Sequence, residues 1–164
     1  MEESEVRLAV DGCGVPVHAL PLSRLAQGYA RMSLPSLFDP ARAAAVRRVT
    51  SAMTAHPEMV AGSERICTQL MAAFGERLFC KSGASAFYAV GLRDRGIGIA
   101  LKMEDGASSI VPYAILSVLT QLVVITPEDA CSLPSFQDRN LYNNHHAVVG
   151  CTELVFRLEP CGVA

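Results

Sequence analysis

The tripeptide Lys81-Ser82-Gly83 is the strongest candidate for chemistry in the sequence. Lys81 is one of two lysines in the chain, and it follows an apolar, strand-like run, Leu78-Phe79-Cys80. Partial desolvation at such a position disfavours the charged amine, which helps it to accept a proton from a nearby serine. Gly83 would let a substrate approach the backbone closely. We therefore predict Lys81 as a catalytic residue and Ser82 and Gly83 as substrate-binding residues, against the alternative of a solvated lysine at a strand end.

A glycine-rich turn, Asp11-Gly12-Cys13-Gly14, is the second candidate. Two glycines around a cysteine favour a tight turn that could aim two side chains into a cleft. Cys13 could bind zinc through its thiolate, while Asp11 could orient a substrate ammonium group or support the metal. No partner ligand lies nearby at the usual spacing, so an incidental cysteine in a turn is the alternative.

The histidines give weaker signals. His56 precedes Pro57 between two predicted helices, so it could place its ring in a cleft as a substrate-binding residue or could simply end the first helix. His145-His146 has the look of a metal-binding pair, but adjacent residues diverge in a strand and no acidic or cysteine partner lies at motif spacing. We predict that this pair lies in a loop.

Composition indicates one domain over residues 1–164 with more apolar surface than usual. The chain has 164 residues, enough for one core, and 18% of them are charged, below the usual share of about 25%. Either the domain is small and well packed, or a segment that covers part of it is missing.

Charge and hydropathy exclude several function classes. The formal net charge is −2 and the one adjacent basic pair is Arg47-Arg48, so we predict no nucleic-acid partner. The longest apolar run, over 115–125, is interrupted by polar residues and is far shorter than the ~20 residues of a membrane span. The acidic start is unlike a secretory signal, so we expect a cytoplasmic protein with reduced cysteines and no membrane partner.

The periodicity predicts an α+β fold in which helices cover an antiparallel sheet. Val6, Leu8 and Val10 define the buried face of a half-buried strand over 5–10. Asp39, followed by Pro40, is the predicted N-cap of the second helix, and Ser63 is the predicted N-cap of the third. Helices are predicted from 21, over 39–55, over 63–74, over 108–122 and over 127–131. Strands are predicted over 77–81, 86–92 and 97–103 as a meander, and over 147–158 at the end.

Five motifs follow one another between Asp11 and Gly150. They are D-G-C-G-V-P-V, H-P-E-M-V-A-G, K-S-G-A, G-I-G-I-A-L-K-M-E-D-G and a late N-x-x-x-x-x-G. In this order they resemble the type-II asparaginase family of rhizobial and actinobacterial kind. The late motif departs from the family pattern, because His145 stands where the family has glycine after asparagine.

The resemblance implies a fold like that of serine β-lactamases and penicillin-binding proteins, whose signatures include S-x-x-K and K-T-G. It implies hydrolysis of L-asparagine to L-aspartate and ammonia by serine-lysine pairs, with zinc bound nearby in some members. By position, Lys81 would be the lysine of one pair, Cys13 a zinc ligand and Asp11 its active-site neighbour. Other cofactors are not expected.

The family's S-x-x-K serine, its second serine and an S-G-K-H stretch lie upstream of D-G-C-G. In this chain neither Lys81 nor Lys102 has serine three residues before it. We therefore expect the C-terminal half of an asparaginase, with an incomplete fold, an incomplete zinc site and almost no activity alone. Its partners would be L-asparagine and either a second copy in a homodimer or a complementing N-terminal half. The alternative is an inactive remnant or a partner-binding module with the same fold.

Overall fold

A computed structural model describes residues 2–93, 95–133 and 139–161 of the chain as a mixed α+β structure. The strands are β1 (Arg7–Val10), β2 (Pro16–Ala19), β3 (Leu78–Ser82), β4 (Phe87–Leu92), β5 (Ile97–Lys102), β6 (Asn140–Tyr142) and β7 (Val148–Cys151). The helices are α1 (Leu22–Ser33), α2 (Pro40–Ala55), α3 (Pro57–Ala61), α4 (Ile66–Phe74), α5 (Val111–Gln121) and α6 (Pro127–Cys131). Small antiparallel sheets pack against these helices, which confirms the predicted class.

The central sheet is the predicted antiparallel meander, in the order β3-β4-β5. Its register aligns Phe79 with Gly91 and Gly91 with Gly98, so these three residues lie on one face. Cys80 and Val90 are paired in the same register and belong to the opposite face. The two faces are covered by different helices.

Helix α1 covers the face that carries Phe79. The ring of Tyr29 stacks on that of Phe79, with centroids 5.8 Å apart. The helix comes so close to β5 that a Cβ atom added at Gly98 would lie 1.8 Å from the carbonyl oxygen of Ala26. A glycine at this position is therefore a condition of the packing of α1 on the sheet.

The opposite face of the meander forms the main core with α4 and α5. Helices α4 and α5 and strands β3 and β4 all contribute side chains with no solvent exposure: Cys67, Leu70, Cys80, Tyr88, Val90, Ile115 and Leu119. The predicted helix over 108–122 is confirmed as α5, although it is shorter at its start. Within the described residues, no helix combines the length and the apolar character needed to cross a bilayer.

Arg93 connects the meander to the second helix. Its guanidinium group donates to the carbonyl oxygen of Gly75 at 2.9 Å and to that of Thr50 at 3.0 Å. It also donates to the hydroxyl of Thr54 at 3.1 Å. These bonds hold α2 against the end of α4 and the sheet.

Two helix starts test the capping predictions. Asp39 caps α2 as predicted, because its carboxylate accepts from the backbone N–H of Arg42 at 3.0 Å. The predicted cap at Ser63 is wrong, since α4 begins at Ile66 with Arg65 as its N-cap. The hydroxyl of Thr68 donates to the carbonyl oxygens of Pro57 and Gly62, which holds the preceding residues in a loop.

The first strand is real but its predicted burial is wrong. β1 pairs with β2 in an antiparallel hairpin in which every residue is exposed. Leu8 is 67% exposed and Val10 is 71% exposed. The alternation of polar and apolar residues therefore predicted the strand correctly but not its burial.

The last predicted strand is shorter than expected. It covers Val148–Cys151 within the predicted 147–158, and it pairs with β6, a strand that the sequence did not predict. Residues 152–161 have no regular secondary structure, and no strand among the described residues pairs with them.

The contact between α1 and β5 can be tested with two glycine substitutions. Gly98→Ala forces a methyl group into the backbone of α1, so we expect the free energy of unfolding to fall by about 3 kcal/mol or more. Gly28→Ala, within α1, meets nothing within 4 Å and should raise it by about 0.5–1 kcal/mol. Urea unfolding of the two variants measures the difference; equal stabilities would contradict the packing described here.

Candidate active site

The end of β3 presents the candidate tripeptide. Successive side chains of a strand point to opposite faces, so Lys81 lies on the face of Phe79 and Ser82 on the face of Cys80. Lys81 is exposed, and its ammonium group donates to the carbonyl oxygen of Ser82 at 2.8 Å. The described residues leave the side chain of Lys81 exposed, so the partial desolvation stays a prediction that needs a further covering segment.

Gly83 begins the tight turn between β3 and β4. Its N–H donates to the carbonyl oxygen of Phe87 at 2.9 Å. A Cβ atom at Gly83 would lie 2.7 Å from a ring carbon of Phe87, so this close approach excludes a side chain. Ser85 and Ala86 have φ angles of 51° and 60°, in the left-handed region. The predicted substrate-binding role of Gly83 stays a prediction, since its local packing already accounts for a glycine.

Two cavities flank this strand end. The first, of about 670 Å³, is lined by Lys81, Ser82 and Gly83 together with Arg65 and the end of α3. The second, of about 490 Å³, shares Ser82, Gly83 and Arg65 and extends along the start of α5 to Tyr113. The candidate tripeptide thus lies between two concave surfaces. In the first cavity, Arg65 is a second cationic side chain beside Lys81.

The Asp11-Gly12-Cys13-Gly14 turn is confirmed as a turn but lies elsewhere. One carboxylate oxygen of Asp11 accepts from the backbone N–H groups of Cys13 and Val15, both at 2.9 Å. Gly14 has a φ of 77°, which explains its glycine. Neither Asp11 nor Cys13 lines the two cavities at the end of β3. The structure does not bring this turn to Lys81.

The described residues do not form a zinc site. Cys13 is exposed, and one oxygen of Asp11 is already occupied by the hydrogen bonds of its own turn. No group of three or more histidine, cysteine, aspartate or glutamate side chains is placed to hold a metal in the part of the chain that the structure describes. A tetrahedral zinc site needs four ligands, so these two residues do not suffice.

The histidines take the structural roles that the sequence left open. His56 ends α2 and precedes α3, and its side chain is 68% exposed with Nδ1 3.7 Å from a carboxylate oxygen of Glu58. It does not line either cavity at the end of β3. His145 and His146 lie in the turn between β6 and β7, as predicted, where Asn143 accepts from the N–H of His145 at 2.9 Å.

A buried group of thiols lies beneath Ser82, and sequence reasoning missed it. The sequence favoured burial for most of the cysteines as small apolar residues, but only Cys67 and Cys80 are buried among the described residues, and both are hydrogen bonded. The N–H of Ser82 donates to the sulfur of Cys67 at 3.1 Å, and the hydroxyl of Tyr88 donates to the sulfur of Cys80 at 3.1 Å. No motif spacing connects these residues, so only the folded chain reveals the cluster.

Hydrogen bonding separates the acidities of the two thiols. Hydrogen bonds from the Cys80 thiol, the Tyr88 hydroxyl and Ser82 lower the pKa of Cys67 to about 5, although burial acts in the opposite direction. The pKa of Cys80 is raised well above its usual value, first by its hydrogen bond with Cys67 and then by burial. Burial likewise raises the pKa of Tyr88 well above its usual value.

Residues 1–154 match the family model for L-asparaginase II, which covers most of the chain. The chain belongs to the L-asparaginase II family. The match includes the glycine-rich turn, the Lys81 tripeptide and the meander, and it confirms the sequence-based assignment at the level of the family. No curated protein matches this L-asparaginase II family member.

The low pKa of Cys67 predicts a pH-dependent stability for this asparaginase-family chain. Between about pH 5 and pH 9 the folded state holds a thiolate while the unfolded state holds a thiol, whose pKa is near 9.0. The unfolded state therefore binds more protons, and the free energy of unfolding rises with pH across this window. The stability that the Cys67 thiolate contributes is lost as the pH falls through 5. Above about pH 9 the raised pKa values of Cys80 and Tyr88 reverse the slope.

Urea unfolding from pH 4 to pH 10 measures this profile. Cys67→Ser should flatten the rise between pH 5 and pH 8, because serine does not ionise there. The matched control is Cys13→Ser, at an exposed cysteine, which should keep the slope. Parallel profiles for the two variants would contradict a folded-state thiolate at Cys67.

Proposed function

We propose that this chain supplies the lysine side of an L-asparaginase active site that hydrolyses L-asparagine to L-aspartate and ammonia by a serine-lysine mechanism. The serine nucleophile comes from a complementing half, either an upstream segment or another polypeptide. The observation that carries the proposal is the Lys81 tripeptide at an exposed strand end between two cavities, in a chain of the L-asparaginase II family.

Amide hydrolysis sets the parts that such a site needs. A nucleophile attacks the carbonyl carbon, a base removes its proton, and donors stabilise the oxyanion. Lys81 can take the role of the base once a covering segment excludes water from it, since desolvation favours the neutral amine. The two cavities leave room for the substrate on both sides of Ser82.

The missing parts support a complementing half. Neither lysine in the chain has serine three residues before it, so the S-x-x-K arrangement is absent from the sequence. The hairpin formed by β1 and β2 carries exposed apolar side chains, among them Leu8, Val10, Val15 and Val17. By the strand register, Leu8 and Val10 lie on one face of the hairpin and Val17, opposite Ala9, lies on the other. Exposed apolar surface of this kind fits a segment that the complementing half would cover.

The alternative is an inactive remnant or partner-binding module with the same family fold. The exposure of Lys81 favours it, because the described residues do not exclude water from this side chain as a closed active site would. The two hypotheses separate on activity, since a remnant stays inactive whatever is added to it.

Ammonia release from L-asparagine is the direct measurement. We expect almost none from the 164-residue chain alone, because loss of a nucleophile can cost about 10⁶-fold in rate. Activity should appear when the chain is joined to the sequence encoded upstream of it or is co-expressed with an N-terminal half of a family member. Ammonia release by the chain alone would contradict the proposal that the nucleophile is missing. Persistent inactivity of the joined protein would favour the inactive remnant.

A matched pair of substitutions then tests Lys81 in the active, joined protein. Lys81→Arg keeps the charge but removes the base, because arginine is not deprotonated in proteins, so kcat should fall at least about 10²-fold. Lys102→Arg makes the same change at the other lysine and should leave kcat within a factor of about two. Equal effects of the two substitutions would remove Lys81 from the catalytic role.

Metal analysis tests the zinc expectation separately from activity. The purified chain should contain no stoichiometric zinc, because Cys13 and Asp11 supply too few ligands. Cys13→Ser should then leave the metal content unchanged. One tightly bound zinc per chain, lost in Cys13→Ser, would show that the chain holds a complete site.

A further inference from the structure

Strand β3 is an edge of the central sheet, and this leaves part of its backbone without a strand partner. The strand order is β3-β4-β5, so among the described residues β3 pairs with β4 alone. The N–H of Gly83 still points toward β4 and donates to the carbonyl oxygen of Phe87 at 2.9 Å. The N–H of Ser82, one residue earlier, belongs to the open edge.

A sulfur atom satisfies this edge donor. The N–H of Ser82 donates to the sulfur of Cys67, with the nitrogen and sulfur 3.1 Å apart. Cys67 is fully buried at the start of α4, so bulk water does not compete for the bond. A thiol sulfur is a weak acceptor, whereas an ionised acceptor gives shorter and stronger hydrogen bonds. Ionisation of Cys67 would therefore strengthen this bond.

Other hydrogen bonds connect the neighbouring strands to Cys67. The Tyr88 hydroxyl donates to the sulfur of Cys80 at 3.1 Å, and the Cys80 thiol donates to the carbonyl oxygen of Cys67 at 3.7 Å. Hydrogen bonding with Cys80, Tyr88 and Ser82 lowers the pKa of Cys67. Tyr88 from β4 lies on the same face of the sheet as Cys80, whereas Tyr29 from α1 and Lys81 of β3 lie on the opposite face and interact with Cys80 through the sheet. The groups that lower the pKa of Cys67 therefore come from two strands.

We propose that Cys67 is a positioning residue of the active site: its buried sulfur accepts from the backbone N–H of Ser82, in a bond that strengthens when the sulfur ionises, and so fixes the strand end that carries Lys81 and Gly83. The sulfur acts from behind the strand. It pulls the Ser82 amide toward α4, and the carbonyl of the same residue accepts from the ammonium group of Lys81 at 2.8 Å. The orientation of Lys81 thus depends on a bond one peptide away.

The proposal rests on the function proposed above, because that function makes this strand end part of an active site. Its test does not depend on hydrolysis. Two signals are followed in the ¹⁵N-labelled chain from pH 4 to pH 8. Absorbance at 240 nm reports thiolate formation, and the ¹H–¹⁵N chemical shift of Ser82 reports its hydrogen bond. We expect both signals to change together with a midpoint near pH 5.

Three variants complete the test. Cys67→Ser should remove the pH-dependent part of both signals, and Cys13→Ser should change neither. Cys80→Ala keeps Cys67 but removes a donor to it, so both midpoints should move upward by at least one pH unit. This third variant keeps the test decisive if Cys67→Ser fails to fold.

Two results would overturn the proposal. One is a Ser82 amide whose shift does not follow the thiolate absorbance in the unsubstituted chain. The other is an absorbance change near pH 5 that persists in Cys67→Ser. A merely structural role of Cys67 would alter the unfolding midpoint of its variants without coupling the Ser82 amide to a titration, so the shared midpoint distinguishes positioning from packing. Loss of activity in the joined protein, with this coupling intact, would count against the proposed function alone.

Discussion

The packing of β3 from both faces is the constraint on which the site depends. Phe79 meets Tyr29 of α1 on one face, and Cys80 lies in the core with Cys67 and Tyr88 on the other. Because side chains alternate along a strand, these contacts also fix which way the next two residues point. A slip of one residue would exchange the positions of Lys81 and Ser82 and bring an ammonium group into the core. The core and the candidate site are thus set by one register.

Local signals accounted for much of the fold. The Asp39-Pro40 start of α2, the strands of the meander and the short helix α6 all follow from residues that lie next to one another in sequence. The errors have a common cause. The burial of a strand and the start of α4 depend on contacts between distant segments, such as the bond of Thr68 to the carbonyl of Pro57, and periodicity carries no information about them.

The same distinction applies to the site. The Lys81 tripeptide and the Asp11 turn could be found because each is a short motif, and their interpretation drew on a resemblance over the whole chain. The bond between Ser82 and Cys67 joins residues 15 apart, and its acceptor is an ordinary buried cysteine in sequence terms. Only the fold brings this sulfur to an edge amide, so composition and spacing could not have predicted it.

The exposed hairpin of β1 and β2 also affects how the molecule opens. None of its side chains is buried, so little apolar area becomes newly exposed to water when the hairpin detaches from the remainder of the chain. Regions with few buried contacts open at a small fraction of the free energy of global unfolding. Its amide protons should therefore exchange with solvent well before those of the meander, and proteases should cleave it while the core stays folded. The conformation of the segment that carries Asp11 and Cys13 should consequently depend strongly on what binds it.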